Sequence, residues 1–191
     1  MVRRLKVLAL LAGLVAADIP QEMPAPVDTQ IRLLSRILQF DRRFPDGFGD
    51  EVVVGVLYQS RFRASLDAMT AAVAALQREQ SGGLPGGLSL RFLTLDLDGG
   101  VSLLDELADG RIDVLYVAPL RAVDVEALSQ ICRRSGVLTF TGVPEFVSRG
   151  LAVGIGSRRG RPEILINREA AEAEGAFFSS ELLALARIVD E

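Results

Sequence analysis

The stretch that decides the fold is Glu51–Arg61, EVVVGVLYQSR. From Val52 to Tyr58 it is apolar almost without interruption, and polar residues end the run. A short run that is apolar on both faces predicts a strand buried between helices in a parallel sheet. The next residues, Phe62–Glu79, place apolar side chains at helical spacing, which predicts a helix directly after the strand. A strand followed by a helix is the opening unit of an α/β fold.

Three later stretches repeat this pattern. They predict further strands at Leu88–Leu95, nearer an edge of the sheet, at Asp113–Pro119 and at Gly136–Thr141. Helices are predicted between them at Val101–Ala108 and Asp124–Arg134. The spacing of the strands fits βα units with right-handed crossovers.

The C-terminal part of the sequence no longer alternates strand and helix. Leu151–Ile155 and Glu163–Asn167 flank the polar turn Ser157–Pro162, which leaves no room for a helix and predicts a β-hairpin. Asn167 is suited to cap a short helix, and a last helix is expected from Glu181, with Leu182, Leu185, Ala186 and Val189 along one side. The fold class is therefore α/β, a single three-layer domain whose mostly parallel sheet has flanking helices and a C-terminal β-hairpin.

The N-terminus differs from the rest of the chain. Three cations precede the apolar run Val7–Ala17, and small residues end it. This pattern predicts a secretory signal peptide over residues 1–17, cleaved after Ala17, and hence an exported protein. A transmembrane anchor is the alternative, but it needs about 20 apolar residues, and this run has 11. Residues 18–28 are predicted to be a flexible leader, and Asp28 to cap a helix that opens a domain over residues 29–191.

Charge argues against nucleic acid as a partner. Without residues 1–17 the chain keeps 18 basic residues against 25 acidic ones, a formal charge of −7. Its one dense group of cations is Arg158-Arg159-Gly160-Arg161. An acidic chain with so small a basic patch is a poor nucleic-acid binder.

The residues that most enzymes and metal sites need are missing from the sequence. It contains no His and a single Cys, Cys132, which lies on an apolar stripe and is interpreted as a buried hydrophobe. Catalysis by Ser-His or Cys-His pairs and zinc sites of His or Cys are thereby excluded. Nucleotide-binding fingerprints are also absent. The sequence therefore predicts no enzyme activity, no cofactor and no metal.

A binding site can be placed only by topology. In open α/β sheets, ligands bind outside the carboxyl ends of the strands. The residues there with suitable groups are Gln59, Ser60, Arg61, Thr141 and Gly142. They predict a site for a small anionic ligand. The alternative is that they only cap and turn the chain.

Four stretches carry a resemblance to a known family. They are RLLSRILQFDRRFP (32–45), VVVGVLYQ (52–59), DVLYVAP with VLTFTGVPEF (113–119 and 137–146), and EILINREAAEAEGAFFSSELLALARIV (163–189). In these the chain resembles the YfiR/HmsC family of small exported regulators. The resemblance implies a periplasmic α/β domain without a catalytic motif, and a partner that is an inner-membrane signalling protein of the diguanylate cyclase type. Through this partner, members control cyclic di-GMP and biofilm formation.

Two hypotheses about function follow. The first is an exported regulator that binds its membrane partner through exposed apolar surface, with Phe177, Phe178 and Leu182 as the candidate patch, and that forms a homodimer. For these three residues, docking of the last helix on the sheet is the alternative. The second hypothesis is a periplasmic small-molecule binding domain that resembles one lobe of a substrate-binding protein. A structural role in adhesion or the envelope is a third option.

Overall fold

The computed structural model describes residues 21–100, 102–108 and 111–189. The predicted signal peptide therefore lies outside the described residues. Within them the strands are β1 Glu51–Tyr58, β2 Ser89–Asp96, β3 Val114–Val117, β4 Leu138–Thr141, β5 Val153–Arg158, β6 Arg161–Ile166 and β7 Arg187–Ile188. The helices are α1 Val27–Leu38, α2 Arg63–Gly82, α3 Leu103–Ala108, α4 Val125–Ser135, α5 Pro144–Val147, α6 Arg168–Ala173 and α7 Ser180–Leu185.

The strands form one sheet in the order β2-β1-β3-β4-β5-β6-β7. The first five are parallel, β6 is antiparallel to β5, and β7 is parallel to β6. The run at β1 is buried between β2 and β3, and β2 is an edge strand, as the two sequence patterns predict. The predicted α/β architecture with its hairpin is confirmed.

Each face of the sheet has its own core. On one face, α1 and α2 pack against alternate strand residues such as Val54, Tyr116 and Phe140. On the other face, α3, α4 and α5 cover Val53, Leu115 and their neighbours. Cys132 of α4 is fully buried in this second core, in agreement with its interpretation as a hydrophobe. The three layers follow from strands that are apolar on both sides.

The C-terminal part departs from the prediction. The hairpin strands extend into the predicted turn, which shrinks to Arg159 and Gly160, because both adopt positive φ (53° and 75°) as a tight two-residue turn requires. The predicted last helix ends at Leu185, whose side chain is 72% exposed. The residues after it pair with β6 as β7, since that strand offers an open edge.

The N-terminal part also differs in detail. Helix α1 begins at Val27 after Pro26, and Asp28 lies in its first turn instead of capping it. Before the helix, Ala25 is buried, and the Gln21 side chain hydrogen-bonds both backbone groups of Leu120. The part of the predicted flexible leader that the structure describes is thus packed over the carboxyl ends of the strands.

Candidate functional site

The β1–α2 loop holds three of the predicted ligand residues, and its backbone amides are already occupied. Ser60 N donates to Asp96 Oδ1 (3.0 Å), and Arg61 N donates to Asp98 Oδ2 (2.7 Å). Burial alone would raise the pKa of the Asp96 carboxyl, but the hydrogen bonds from Ser60, Asp98 and Gly99 lower it overall. Two carboxylates of the chain itself thus take the place that an anionic ligand would occupy. The sequence analysis did not identify this role of Asp96 and Asp98.

Gln59 is likewise engaged within the protein. Its side-chain Oε1 accepts from Arg121 N (2.7 Å), and its backbone N–H donates to Ser65 Oγ (3.0 Å). The first contact ties the end of β1 to the loop after β3, across the point where the strand order reverses. The Gln59 side-chain oxygen is therefore already engaged at the strand ends, while Arg61 is exposed.

Thr141 and Gly142 lie at the end of β4 and are buried. The Thr141 hydroxyl donates to Val117 O (2.9 Å) and accepts from Val143 N (3.1 Å). Gly142 packs against the side chain of Gln30. Gln30 in turn donates to Ala25 O (2.8 Å) and accepts from the Tyr116 hydroxyl (2.9 Å). Covered in this way, neither residue presents a group to solvent.

Because of this contact, we expect Gly142→Ala to destabilise the fold. A Cβ at this position would lie 2.3 Å from the Gln30 amide, so the buried Gln30 network must shift. The expected loss in unfolding free energy is about 1–3 kcal/mol, measured by urea denaturation. The matched control is Gly82→Ala, where a Cβ meets nothing within 4 Å. Equal stability of the two variants would show that Gln30 yields without cost.

The predicted partner patch divides into one exposed and two buried residues. Phe177 is 49% exposed, whereas Phe178 and Leu182 are buried in the core at 7% and 1%. The docking alternative therefore describes the latter two, and Phe177 alone remains available to a partner. It stands beside a groove of about 280 Å³, here named the Phe177 groove, lined mainly by Arg42, Ala171, Ala176, Phe177, Phe178 and Leu183.

Asp41 holds the segment that carries Phe177, a role the sequence analysis missed. Its buried carboxylate accepts from Arg43 N (3.0 Å), from the Arg43 guanidinium (2.7 Å at the shortest) and from Phe177 N (3.4 Å). Around it, Arg42 N donates to Phe177 O (3.0 Å) and Ser179 N donates to Phe40 O (2.8 Å). The end of the α1 region thereby fixes the backbone on both sides of Phe177.

Glu174, at the end of α6, is a second buried acid that the sequence analysis missed. Its carboxyl accepts from Thr139 N (2.7 Å) and from the Thr139 hydroxyl (2.9 Å), which itself accepts from Ala152 N (2.7 Å). Burial raises the pKa of Glu174 to about 8, against the opposing effects of Thr139 and Arg133. A signal existed in the sequence, since Glu174 follows Ala170 and Ala171 at helical spacing and so continues their buried stripe.

Two further searches of the described residues bear on function. In that part of the chain, no three His, Cys, Asp or Glu side chains are grouped as a metal site would need. Among the described helices, none has the length and apolar character needed to cross a bilayer.

Solved structures share the fold at low sequence identity. They include a conserved domain protein from Vibrio cholerae O1 biovar El Tor (15% identity, TM-score 0.55) and an ABC domain in complex with L-Trp from Streptococcus pneumoniae (14%, 0.55). A ligand-free, open substrate-binding protein with adhesive properties from Clostridium difficile is similar to the same degree (19%, 0.53). These matches cover 86–87% of this chain but only 60–62% of the other proteins. The chain thus spans about three fifths of their length, and at these identities the likeness shows the fold alone.

Similarity to a family comes from a different comparison. No curated protein matches the chain, but a family model described as YfiR/HmsC-like matches residues 94–187. This range includes the resembling stretches at 113–119 and 137–146 and most of the one at 163–189; the stretches at 32–45 and 52–59 precede it. Glu174 and Phe177 lie within it, whereas Asp41 does not. Over these residues the chain is similar to the YfiR/HmsC-like family, whose members are periplasmic and regulatory.

Proposed function

We propose that the chain is an exported, non-enzymatic regulator that binds and restrains an inner-membrane signalling protein of the diguanylate cyclase type. Its output would be control of cyclic di-GMP and biofilm formation. The match of residues 94–187 to the family model supports the regulatory part of this proposal. The structural observation that carries the rest is the exposed Phe177 beside its groove.

The groove has the composition of a site for an apolar anchor residue. Its wall is formed by Ala171, Ala176, Phe178 and Leu183, and Phe177 stands at its mouth. Binding energy in protein interfaces is concentrated in a few aromatic or arginine side chains that become buried at the centre of the contact. A half-exposed phenylalanine held by two backbone hydrogen bonds meets this description, because little conformational entropy remains to be lost on binding.

Charge at the rim indicates what would flank that anchor residue. Arg168 is ion-paired with Glu172 (2.7 Å). Arg42 also lines the groove, and it is an exposed residue whose guanidinium has no hydrogen bond or ion pair among the described residues. A partner segment that places an acidic group next to an apolar side chain would complement both features.

We expect Phe177→Ser to weaken binding of the membrane partner at least about thirtyfold, since loss of a central aromatic side chain commonly costs 2 kcal/mol or more. The measurement is a pull-down of membrane proteins in detergent with the processed chain as bait, read by mass spectrometry. Recovery of an inner-membrane protein with a cytoplasmic signalling output supports the proposal and names the partner.

The control is Leu104→Ser on α3, which removes another exposed side chain (54%) at a position distant from Phe177 in the sequence. It should leave capture unchanged, and both variants should melt near the wild-type temperature. If the two substitutions reduce capture equally, or neither does, the Phe177 groove is not the contact.

A second candidate function is small-molecule binding, favoured by the fold shared with substrate-binding proteins. Its test is a metabolite screen by melting temperature, with Arg61→Ala as the matched variant, because Arg61 is the exposed cation at the strand ends. A ligand-dependent rise that Arg61→Ala abolishes, together with failure of partner capture, would favour this function.

A further inference from the structure

The tip of the β5–β6 hairpin carries two features that disfavour folding. Arg158 pairs directly opposite Arg161, and like charges in that position destabilise a hairpin. Between them, Arg159 adopts a φ of 53°, which a side chain other than Gly, Asn or Asp rarely does. A turn suited only to folding would carry Asn-Gly at these two positions. The three arginines at the tip are therefore not explained by the stability of the hairpin.

An exposed apolar side chain stands beside the tip. Leu185 is 72% exposed. Leu185 also borders an open groove of about 380 Å³, which Leu33 and Ile164 line together with Arg158 and Arg161. The face therefore combines aliphatic groups with long cationic side chains.

The charge of this face is opposite to that of the chain. The single acid among the described residues that line the groove is Glu163, whose side chain is 15% exposed. It is ion-paired with both Arg158 (3.6 Å) and Arg187 (3.2 Å). Because β7 runs parallel to β6, it leads away from the tip, and the acids that follow it, Asp190 and Glu191, lie outside the described residues. The chain as a whole carries −4, so the tip is a local cationic site on an acidic protein.

The geometry points to this face as a site that binds a bilayer of anionic phospholipids. We name it the hairpin surface, and its residues are Arg158, Arg159, Arg161, Leu185 and Arg187. Arginine side chains extend to phosphate headgroups while exposed aliphatic side chains enter the layer beneath them. An arginine that recognises a protein carboxylate commonly forms two parallel hydrogen bonds to it in a fixed geometry. The arginines here are instead spread over a turn, an arrangement that suits the many phosphates of a membrane surface. The inference rests on the proposed function only in placing the protein beside a membrane.

The test is vesicle co-sedimentation, with phosphatidylglycerol–phosphatidylethanolamine vesicles compared with neutral phosphatidylcholine vesicles. The variant is Arg158→Thr/Arg159→Asn/Arg161→Thr. We expect its partition onto anionic vesicles to fall about fivefold per arginine, roughly a hundredfold in total. Its melting temperature should hold or rise, since a Thr–Thr pair and Asn-Gly suit a hairpin. Leu185→Ser should weaken partition severalfold. All proteins carry the same N-terminus, verified by mass spectrometry, so any contribution of that segment cancels.

The control is Arg63→Gln/Arg91→Gln/Arg134→Gln, which removes the same three charges from α2, β2 and α4. It should bind anionic vesicles nearly as the wild type does, and wild-type binding should weaken with added salt. Equal losses in both triple variants, or wild-type binding to neutral vesicles of the same strength, would overturn the inference. Absence of vesicle binding by the wild type would also overturn the inference. If the hairpin variant then also lost partner capture, the surface would be assigned to the binding of an acidic protein. Phe177→Ser should leave vesicle binding intact, which separates a failure here from a failure of the proposed function.

Discussion

Replacement of Glu174 by Gln is expected to stabilise the protein by several kcal/mol at pH 9 and to change its stability little at pH 5. The pKa of Glu174 is raised to about 8 in the folded protein, chiefly by burial, from 4.5 for a solvated carboxyl. The folded state therefore binds this proton more tightly than the unfolded state does. Glutamine keeps the shape of the protonated side chain and cannot ionise.

The sign follows from linkage between protonation and folding. Below pH 4.5 both states hold the proton, and the wild type has the full stability of the neutral side chain. As the pH rises towards 8, the unfolded state releases the proton while the folded state retains it, and the free energy of unfolding falls. Above pH 8 the loss is complete, on the order of 4–5 kcal/mol for a shift of this size.

Urea denaturation of both proteins at several pH values between 5 and 9 measures this effect. The quantity to follow is the difference in unfolding free energy between the variant and the wild type, because contributions of other titrating groups cancel in it. Glu172→Gln is the matched control, since it makes the same change of carboxyl to amide at an exposed residue two positions away. A difference for Glu174→Gln that stays constant with pH would mean that the Glu174 carboxyl ionises freely in the folded state.

Replacement of Asp41 by Ala is expected to lower the free energy of unfolding by about 3 kcal/mol and to reduce partner capture. The Asp41 side chain is fully buried. Its removal leaves the amides of Arg43 and Phe177 and the half-buried Arg43 guanidinium without their acceptor. Losing one partner of a buried polar network costs far more than the net worth of each bond, because the remaining groups stay desolvated. Capture should fall because the Phe177 backbone loses one of its supports.

The control is Asp28→Ala. Asp28 also pairs with two arginines, Arg32 and Arg78, but its side chain is 47% exposed, so its loss should cost less than about 1 kcal/mol. Chemical denaturation of both variants gives the stabilities, and the detergent pull-down gives capture. If Asp41→Ala is no more costly than Asp28→Ala, or if it unfolds more readily yet binds the partner as the wild type does, Asp41 does not hold the Phe177 segment.

Hydrophobic pattern alone was sufficient for most of the architecture. Strands β1 and β3 are apolar on both faces, and such runs fit only the interior of a sheet covered by helices on both sides. The short polar stretch between β5 and β6 could only be a hairpin, because a parallel connection needs about ten or more residues. Strand β7 could not be predicted in the same way, since Ala186–Val189 continues the apolar pattern of a helix and becomes a strand only because β6 has an open edge.

The candidate site was less predictable than the fold. Gln59, Ser60, Arg61, Thr141 and Gly142 do lie at the carboxyl ends of the strands, as topology requires. Which groups remain free there depends on partners distant in sequence: Asp96 and Asp98 for the β1–α2 loop, and Gln30 for Gly142. Phe177 and Phe178 are adjacent in sequence, and only their packing makes one exposed and the other buried.

The sequence by itself therefore determined the α/β class, the order of most elements, the absence of His-based chemistry and the resemblance to the YfiR/HmsC family. These are properties of residue type and spacing, which act locally. Only the tertiary structure decided that Glu174 and Asp41 are buried, that Phe177 is exposed and that Arg158 opposes Arg161. Burial and pairing of this kind arise when segments far apart in the chain pack together. The type of a polar residue alone does not show whether water or the protein core surrounds it.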